Sequence, residues 1–367
     1  MHVSWLSQHL AKRGHQITVF CAEQSPLHRD ISSQAIPCRV FQPKGYFDPL
    51  AGRRLRAMLV QGGFDLVHAH FSRDLWIIVP SISSVRPIPI VFIKHIGTQK
   101  AKKDLFHRWL YRRVAHVIAI SSVIAKNLLA THPLAPERLS VVHHGVDMAL
   151  FKNKQARSLI RSEFGIAAND VVIGSIGRLQ VGKGHLEFLE MAGQIAAEFP
   201  HTKFMIVGEP THGEENLARP IYQKAAQLGL GNRLIFTGFR TDVPDVLGAM
   251  DIFAFPSHAE AFGLVVIEAM AAGLPIVSSA CDGVLDIIRS GENGLLIDPK
   301  DARQLTDAVR RLLMNKSYAA MLAGNGLKSV ANNFTMARML EQIEAIYDRV
   351  VIEYEESHHG RTNNPVA

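Results

Sequence analysis

The chain has 367 residues, 47% of them hydrophobic and 20% charged, which suggests two domains with their own cores and excludes a disordered protein. No apolar run approaches the ~20 residues that span a bilayer, and Cys21, Cys38 and Cys281, odd in number and scattered, argue against a disulfide framework and for a reducing compartment. The net charge of +7 is uneven: residues 1–153 hold 20 Lys and Arg against 8 Asp and Glu, the remainder 20 against 25, so the first part looks toward something anionic. No aromatic-rich binding motif or recognition-helix pattern accompanies that charge, which leaves a membrane surface or a phosphorylated acceptor ahead of nucleic acid. Met1 is followed by an amphipathic segment with no basic n-region and no cleavage site, so no secretory signal is expected.

In chain order, Val3, Leu6 and Leu10 have helical spacing, and Arg13-Gly14-His15 ends that helix before a strand at Gln16 to Cys21. Further strands are predicted at Phe64 to Ala69 and Pro89 to Lys94, with His95-Ile96-Gly97 at the C-terminal end of the latter, where open parallel sheets place ligands. Val114 to Ile120 is the next strand; Ser121 and Ser122 can cap a helix over Val123 to Leu129. Leu139 to Val142 leads into His143-His144-Gly145-Val146-Asp147, and the polar stretch Phe151 to Ala167 reads as an inter-domain linker.

A second strand and helix series begins at Val171 to Ile176, then Gly177-Arg178-Leu179-Gln180-Val181-Gly182-Lys183-Gly184 and a helix over His185 to Phe199. Strands follow at Lys203 to Val207, Leu234 to Thr237, Ile252 to Phe255, Ile276 to Ser279 and Leu295 to Ile297, which predicts a parallel sheet. A helix around Ala302 to Leu313 and a long amphipathic pattern over Met336 to Glu353 close the chain, with His358 to Ala367 expected as a frayed tail.

Two stretches carry chemistry. In Asp251 to Pro275, a strand ends at Pro256, Glu260 sits in the loop, and Gly263 turns into a helix that begins near Leu264 and contains Glu268. The free N–H groups of a helix start attract anions, and two carboxylates eight positions apart can reach a sugar and a ribose hydroxyl of one ligand. In the Gly177 to Gly184 run, glycines let backbone approach phosphate while Arg178 and Lys183 supply positive charge. It is not a Walker loop, since His185 follows Gly184 where Ser or Thr is needed. Taken singly, either pair is more often an ordinary set of surface charges.

The string Glu260 to Val277, E-A-F-G-L-V-x-x-E-A-M-A-x-G-L-P-I-V, resembles the donor-site signature of family 4 of the retaining glycosyltransferases, with its Glu-x7-Glu pair. The resemblance extends to R-G-H before the first strand and to His143 to Asp147, which is similar to that family's N-G-V-D loop with His144 where Asn is usual. It implies an α/β protein of two Rossmann-like domains facing a cleft (GT-B). The N-terminal acceptor-side domain would cover 1–153, joined by the C-terminal helix 336–355; the nucleotide-sugar domain would cover 165–335. It further implies that a first strand and a Gly-rich loop precede the opening helix. Their lack here predicts a truncated N-terminal domain of marginal stability.

For the site, the resemblance implies that Arg178 and Lys183, with Gly177, bind the donor diphosphate and stabilise departing charge. Glu268 would hold the ribose hydroxyls, Glu260 would lie near the transferred sugar, and Phe262, Gly263 and Leu264 would offer backbone N–H groups. His95 matches the family's active-site histidine; His70 is a weaker case of the same kind. The family's G-G-x-P-E is replaced by Asp282-Gly283-Val284-Leu285-Asp286, a departure at the loop through which the resemblance implies donor-sugar recognition. No Cys/His cluster has zinc spacing, and Arg178 and Lys183 would let the enzyme work without a metal.

Gln99 to His116 combines Lys100, Lys102, Lys103, Arg108, Arg112 and Arg113 with Leu105, Phe106, Trp109 and Leu110, either a helix with a solvated basic face or an interfacial binder. The resulting expectation is a cytoplasmic enzyme on the inner face of the membrane. It would move a hexosyl unit, with retention, from a UDP- or GDP-linked sugar to a lipid-linked or polysaccharide acceptor in lipopolysaccharide or exopolysaccharide synthesis. The rivals are a nucleotide-sugar epimerase of the same fold and a donor-binding protein without turnover.

Overall fold

The structure is a computed structural model describing residues 2–82 and 88–359. Residues 360–367 of the expected tail lie outside the described residues; His358 and His359 belong to the last helix. In its described residues the chain forms two compact units, Met1–Val142 with Met339–Ala367, and His143–Arg338.

The first unit runs α1 (His2–Lys12), β1 (Val19–Cys21), α2 (Pro26–Ser32), β2 (Cys38–Val40), α3 (Pro49–Gly62), β3 (Val67–Ala69), α4 (Leu75–Ile82), β4 (Ile90–Lys94), α5 (Leu105–Arg112), β5 (Val114–Ala119), α6 (Ser122–Thr131) and β6 (Leu139–Val141). α1 buries Leu6 and Leu10 and stops where Gly14 takes φ +100°. The strands form two parallel sheets, β1–β2 and β3–β4–β5–β6. β4 reads as a near-continuous apolar run because both its faces are covered. Cys21 and Cys38, far apart in sequence, lie on adjacent strands as free thiols with Sγ atoms 3.4 Å apart.

The second unit runs α7 (Lys154–Glu163), β7 (Val171–Ile176), α8 (His185–Glu198), β8 (Thr202–Val207), α9 (Arg219–Leu228), β9 (Leu234–Phe236), α10 (Val243–Ala249), β10 (Ile252–Phe255), α11 (Leu264–Ala271), β11 (Ile276–Ser279), β12 (Leu295–Ile297), α12 (Ala302–Met314) and α13 (Lys316–Asn333). Its six parallel strands are ordered β9-β8-β7-β10-β11-β12, the doubly wound pattern whose strand order reverses between β7 and β10. The last helix, α14 (Met336–His359), joins the first unit from Met339 onward. There Met339, Leu340, Ile343, Ile346 and Val350 are buried, Arg13 grips Glu344 with two hydrogen bonds of 2.7 and 2.8 Å, and Tyr347 meets His68.

Two expectations about segments change. The stretch 154–163, read as part of a linker, is helix α7 of the second unit, and the division between units falls at Val142/His143. Its polarity misled because the polar residues are anchors: Ala156 and Ile160 are buried, Arg157 and Arg161 both pair with Asp251, and Arg161 also donates to the carbonyls of Ala249, Ala167 and Asp170. The basic helix expected over Gln99 to His116 shrinks to Leu105–Arg112, because Asp104 caps it by accepting from Phe106 and His107 N–H, and Val114 to His116 already belong to β5. Lys100, Lys102 and Lys103 therefore lie in the preceding loop.

Candidate active site

In a doubly wound sheet the crevice for a ligand opens at the strands' C-terminal ends where the order reverses. Here that point is served by the loops after β7 and β10, which carry Gly177 to Gly184 and Pro256 to Gly263. The two loops are laced together. His258 N–H donates to the Gly182 carbonyl at 3.0 Å, and a Cβ on Gly184, which sits at φ +75°, would lie 2.0 Å from the Pro256 carbonyl oxygen. Gly177 likewise packs so closely on Gly208 that a Cβ on the latter would meet its carbonyl at 2.1 Å.

Across this seam Lys183 Nζ donates to Glu260 Oε2 at 2.6 Å. Arg178 leaves the same loop with an exposed side chain, while its carbonyl accepts from the half of His185 that faces it, Nε2 at 2.9 Å. Burial lowers the pKa of His185, so the neutral ring serves as a fixed strut. His258 Nε2 and Glu187 Oε1, 2.9 Å apart, form a second strut between the loop after β10 and α8.

The third wall is the turn that departs from the family's usual glycine pair. Asp282, at φ +40°, accepts from Glu260 N–H at 3.2 Å, and Gly283 N–H donates to the Glu260 carbonyl at 3.0 Å. A Cβ on Gly283 would lie 2.4 Å from the Ala261 carbonyl oxygen. Asp282 and Gly283 thus hold Glu260 by both ends of its backbone. Asp286 pairs with His143 Nε2 at 3.0 Å, and the His143 ring stacks on Phe262 at 5.4 Å.

α11 begins at Gly263, which takes φ +99° and gives no side-chain cap, so the helix N-terminus is open to an anion. Leu264 is exposed on its first turn and Phe262 is buried, so Phe262 offers a ligand its backbone only. Glu268 is half-buried one turn on, and burial pushes its pKa up to about 7. The second unit therefore assembles Gly177, Arg178, Lys183, Glu260, Phe262, Gly263, Leu264 and Glu268 on two neighbouring loops and the first turns of one helix.

His95 belongs to the first unit, just past the C-terminal end of β4. It stacks on His70 at 6.0 Å, and His2 meets its ring edge-on at 4.8 Å. Burial lowers the pKa of His95 to about 4, of His68 to about 3 and of His70 well below the ordinary range, so these imidazoles are neutral. Sequence reasoning missed His2 altogether, since a histidine at a helix start carries no signal until β3 and β4 bring His70 and His95 beside it. It also missed Asp282, whose role is visible only in its bond to Glu260.

Residues 1–150 match Glycosyltransferase Family 4 and residues 156–329 match Glycosyl transferases group 1. The chain belongs to the family 4, group 1 glycosyltransferases. It is an enzyme of that class, with an α/β fold and parallel sheets. Among curated glycosyltransferase relatives is a D-inositol 3-phosphate glycosyltransferase of Mycobacterium marinum, 26% identical over 98% of this chain and 82% of that one. One from Nocardioides sp. is 28% identical over 83% and 71%. Among solved structures, Anabaena Alr3699/HepE in complex with UDP-glucose superposes with a TM-score of 0.82 at 23% identity over 95% of both chains. A glycosyltransferase from Rickettsia africae reaches 0.85 at 19% identity over 95% and 93%. These likenesses establish the GT-B fold of this glycosyltransferase.

Proposed function

We propose that this glycosyltransferase moves a hexosyl unit, with retention at the anomeric carbon, from a nucleotide diphosphate sugar to an anionic acceptor. The observation that carries the donor half is the Lys183–Glu260 pair beside Arg178 at the point of strand-order reversal, facing an uncapped helix N-terminus. Diphosphate would lie on the helix end, with Arg178 and Lys183 neutralising the charge that develops as the glycosidic bond breaks. Those two cations supply what a divalent metal would, so none is required for transfer. Glu268 would accept from the ribose hydroxyls, and His95 would hydrogen-bond the transferred sugar. A uridine base is favoured by analogy with Anabaena Alr3699/HepE, which binds UDP and UDP-glucose.

The commitment of Glu260 supports retention. Inversion needs a free general base on the face opposite the leaving group. Glu260 is instead held by Lys183, which leaves the departing diphosphate to take the acceptor's proton on the same face.

For the acceptor, a lipid-linked or polysaccharide chain of cell-envelope synthesis is the first reading. It is supported by a surface in the first unit where Phe47, Leu105 and Phe106 are 87%, 80% and 70% exposed, with Tyr46 and His107 meeting Trp76 edge-on and Lys102 and Lys103 in the adjoining loop. Exposed aromatics beside lysines suit the headgroup region of an anionic inner membrane. Among the described residues no helix is long and apolar enough to cross a membrane, so attachment would be peripheral.

A second reading, a phosphorylated polyol, is favoured by the D-inositol 3-phosphate relatives and by Lys94. This half-buried cation donates to Ser72 Oγ at 2.9 Å, and burial and then Lys102 depress its pKa to about 8, a site that an anion would relieve. The test is release of nucleoside diphosphate from a UDP- and GDP-sugar panel, with lipid-linked saccharides and inositol phosphates as acceptors and the product anomer read by NMR. Sugar conversion without any acceptor would replace transfer by epimerisation; an inverted product would remove retention.

A further inference from the structure

The first unit holds more imidazole than the proposed transfer uses. β3 and β4 are parallel neighbours, with Ala69 opposite Phe92, so both chains leave the sheet at the same end. His70 and His95, each the first residue past its strand, come to stand side by side there, and His2 at the start of α1 closes the group. His2 meets His95 at 4.8 Å and His70 at 5.8 Å, both edge-on, and one ring nitrogen from each of the three lies within 4.8 Å of the other two. All three rings are half-buried. Nδ1 of His70 is buried with no hydrogen-bond partner, and behind His70 the ring of His68 stacks at 4.4 Å while Tyr347 O–H contacts His68 in turn.

We propose that His2, His70 and His95 form a binding site for one divalent transition-metal ion of zinc type, and that the bound ion inhibits transfer by occupying His95. Three imidazoles on one ion with a fourth position left for water is a common zinc arrangement, whereas magnesium and calcium prefer oxygen ligands that this group lacks. Zinc–nitrogen bonds of about 2.0–2.1 Å require ring nitrogens somewhat closer than 4.8 Å, and rotation of the rings about their broad terminal torsion closes that gap. Tyr347 and His68 stand behind His70 as an outer layer against which its ring packs. The inhibitory half rests on the role proposed above for His95; the binding half rests on geometry alone.

The experiment is calorimetric titration of chelator-treated protein with ZnCl2 and with MgCl2, repeated on His2→Asn and His70→Gln, each checked for folding by its thermal melt. Expected are one tight equivalent of Zn2+, no Mg2+ binding, and at least a tenfold loss of Zn2+ affinity in both variants. Co2+ in place of Zn2+ should give the visible absorption of a four-coordinate ion. His2→Asn changes the first turn of α1 and leaves β3 and β4 untouched, so it tests the site even if His70→Gln melts early. Absence of a tight Zn2+ equivalent in the unaltered protein, or its persistence unchanged in His2→Asn, overturns the site. Tight binding without inhibition of sugar transfer leaves the site standing and instead removes His95 from the reaction.

Discussion

Lys183 Nζ lies 2.6 Å from Glu260 Oε2 across two loops that leave the neighbouring central strands β7 and β10, with side chains only 16% and 20% exposed. The pair is shielded from water, so each charge depends on the other more than it would on an open surface. Arg178→Ala and Lys183→Ala should each weaken UDP binding about 10- to 150-fold, the equivalent of one charge-assisted bond of ~1.5–3 kcal/mol. Lys183→Ala and Glu260→Ala should be non-additive when combined, because either single change already breaks the pair. Calorimetry on the unaltered enzyme, the three single variants and the double variant checks both statements, and UDP binding by Arg178→Ala and Lys183→Ala as tight as by the unaltered enzyme would defeat the donor-site assignment.

Glu268 sets function against stability. Burial raises its pKa to about 7, above the 4.5 of an ordinary glutamate. A raised folded-state pKa means that the folded protein holds the proton more tightly than the unfolded chain, so this contribution to stability is complete below pH 4.5 and is lost as pH rises through 7. Ribose hydroxyls, by contrast, are best held by the ionised form. UDP affinity should therefore increase from pH 6 to pH 8, and Glu268→Gln should flatten that profile while melting at a higher temperature than the unaltered protein at pH 8. The melting difference should vanish below about pH 5; a profile unchanged by the substitution would separate Glu268 from the donor.

Gly283 is where a single methyl group should be felt at the site. A Cβ there would sit 2.4 Å from the Ala261 carbonyl oxygen and 2.5 Å from Phe262 Cα, backbone atoms of the loop that carries Glu260. Gly283→Ala should cost about 1–3 kcal/mol of stability, as overpacking does, and should lower sugar transfer more than UDP binding. Asp282→Ala, which removes the acceptor for Glu260 N–H and places alanine at φ +40°, should have the same kinetic signature. Thermal melts beside kcat and KM for both variants distinguish the two effects.

The exposed apolar surface of the first unit predicts membrane attachment with a hydrophobic as well as an electrostatic part. Leu105→Ser with Phe106→Ser should reduce co-sedimentation with anionic liposomes, as should neutralising Lys102 and Lys103; raised salt should oppose only the second contribution. Each lysine near the surface is worth ~1 kcal/mol of attraction, so the double neutralisation should lower partitioning about 30-fold. Equal binding to neutral and anionic vesicles would remove the electrostatic part.

The sequence by itself determined those features whose signal is carried by near neighbours along the chain. The apolar runs of β4, β7 and β10, the glycine that turns into α11, the serine cap of α6 and the stripe on α14 all follow from periods of two or 3.6 residues and from backbone freedom at single positions. The string from Glu260 to Val277 and the Gly177 to Gly184 run were legible for the same reason, being strand, loop and helix start in unbroken order. Only the tertiary structure decided what is made by contact between distant stretches. Helix α7 looked like a linker because its arginines find Asp251 some 90 residues away. Asp282 looked like a lost glycine until it was seen holding Glu260. Cys21 and Cys38, and likewise His2, His70 and His95, became neighbours through the pairing of strands, which depends on the packing of a whole unit and leaves no mark on the residues beside them.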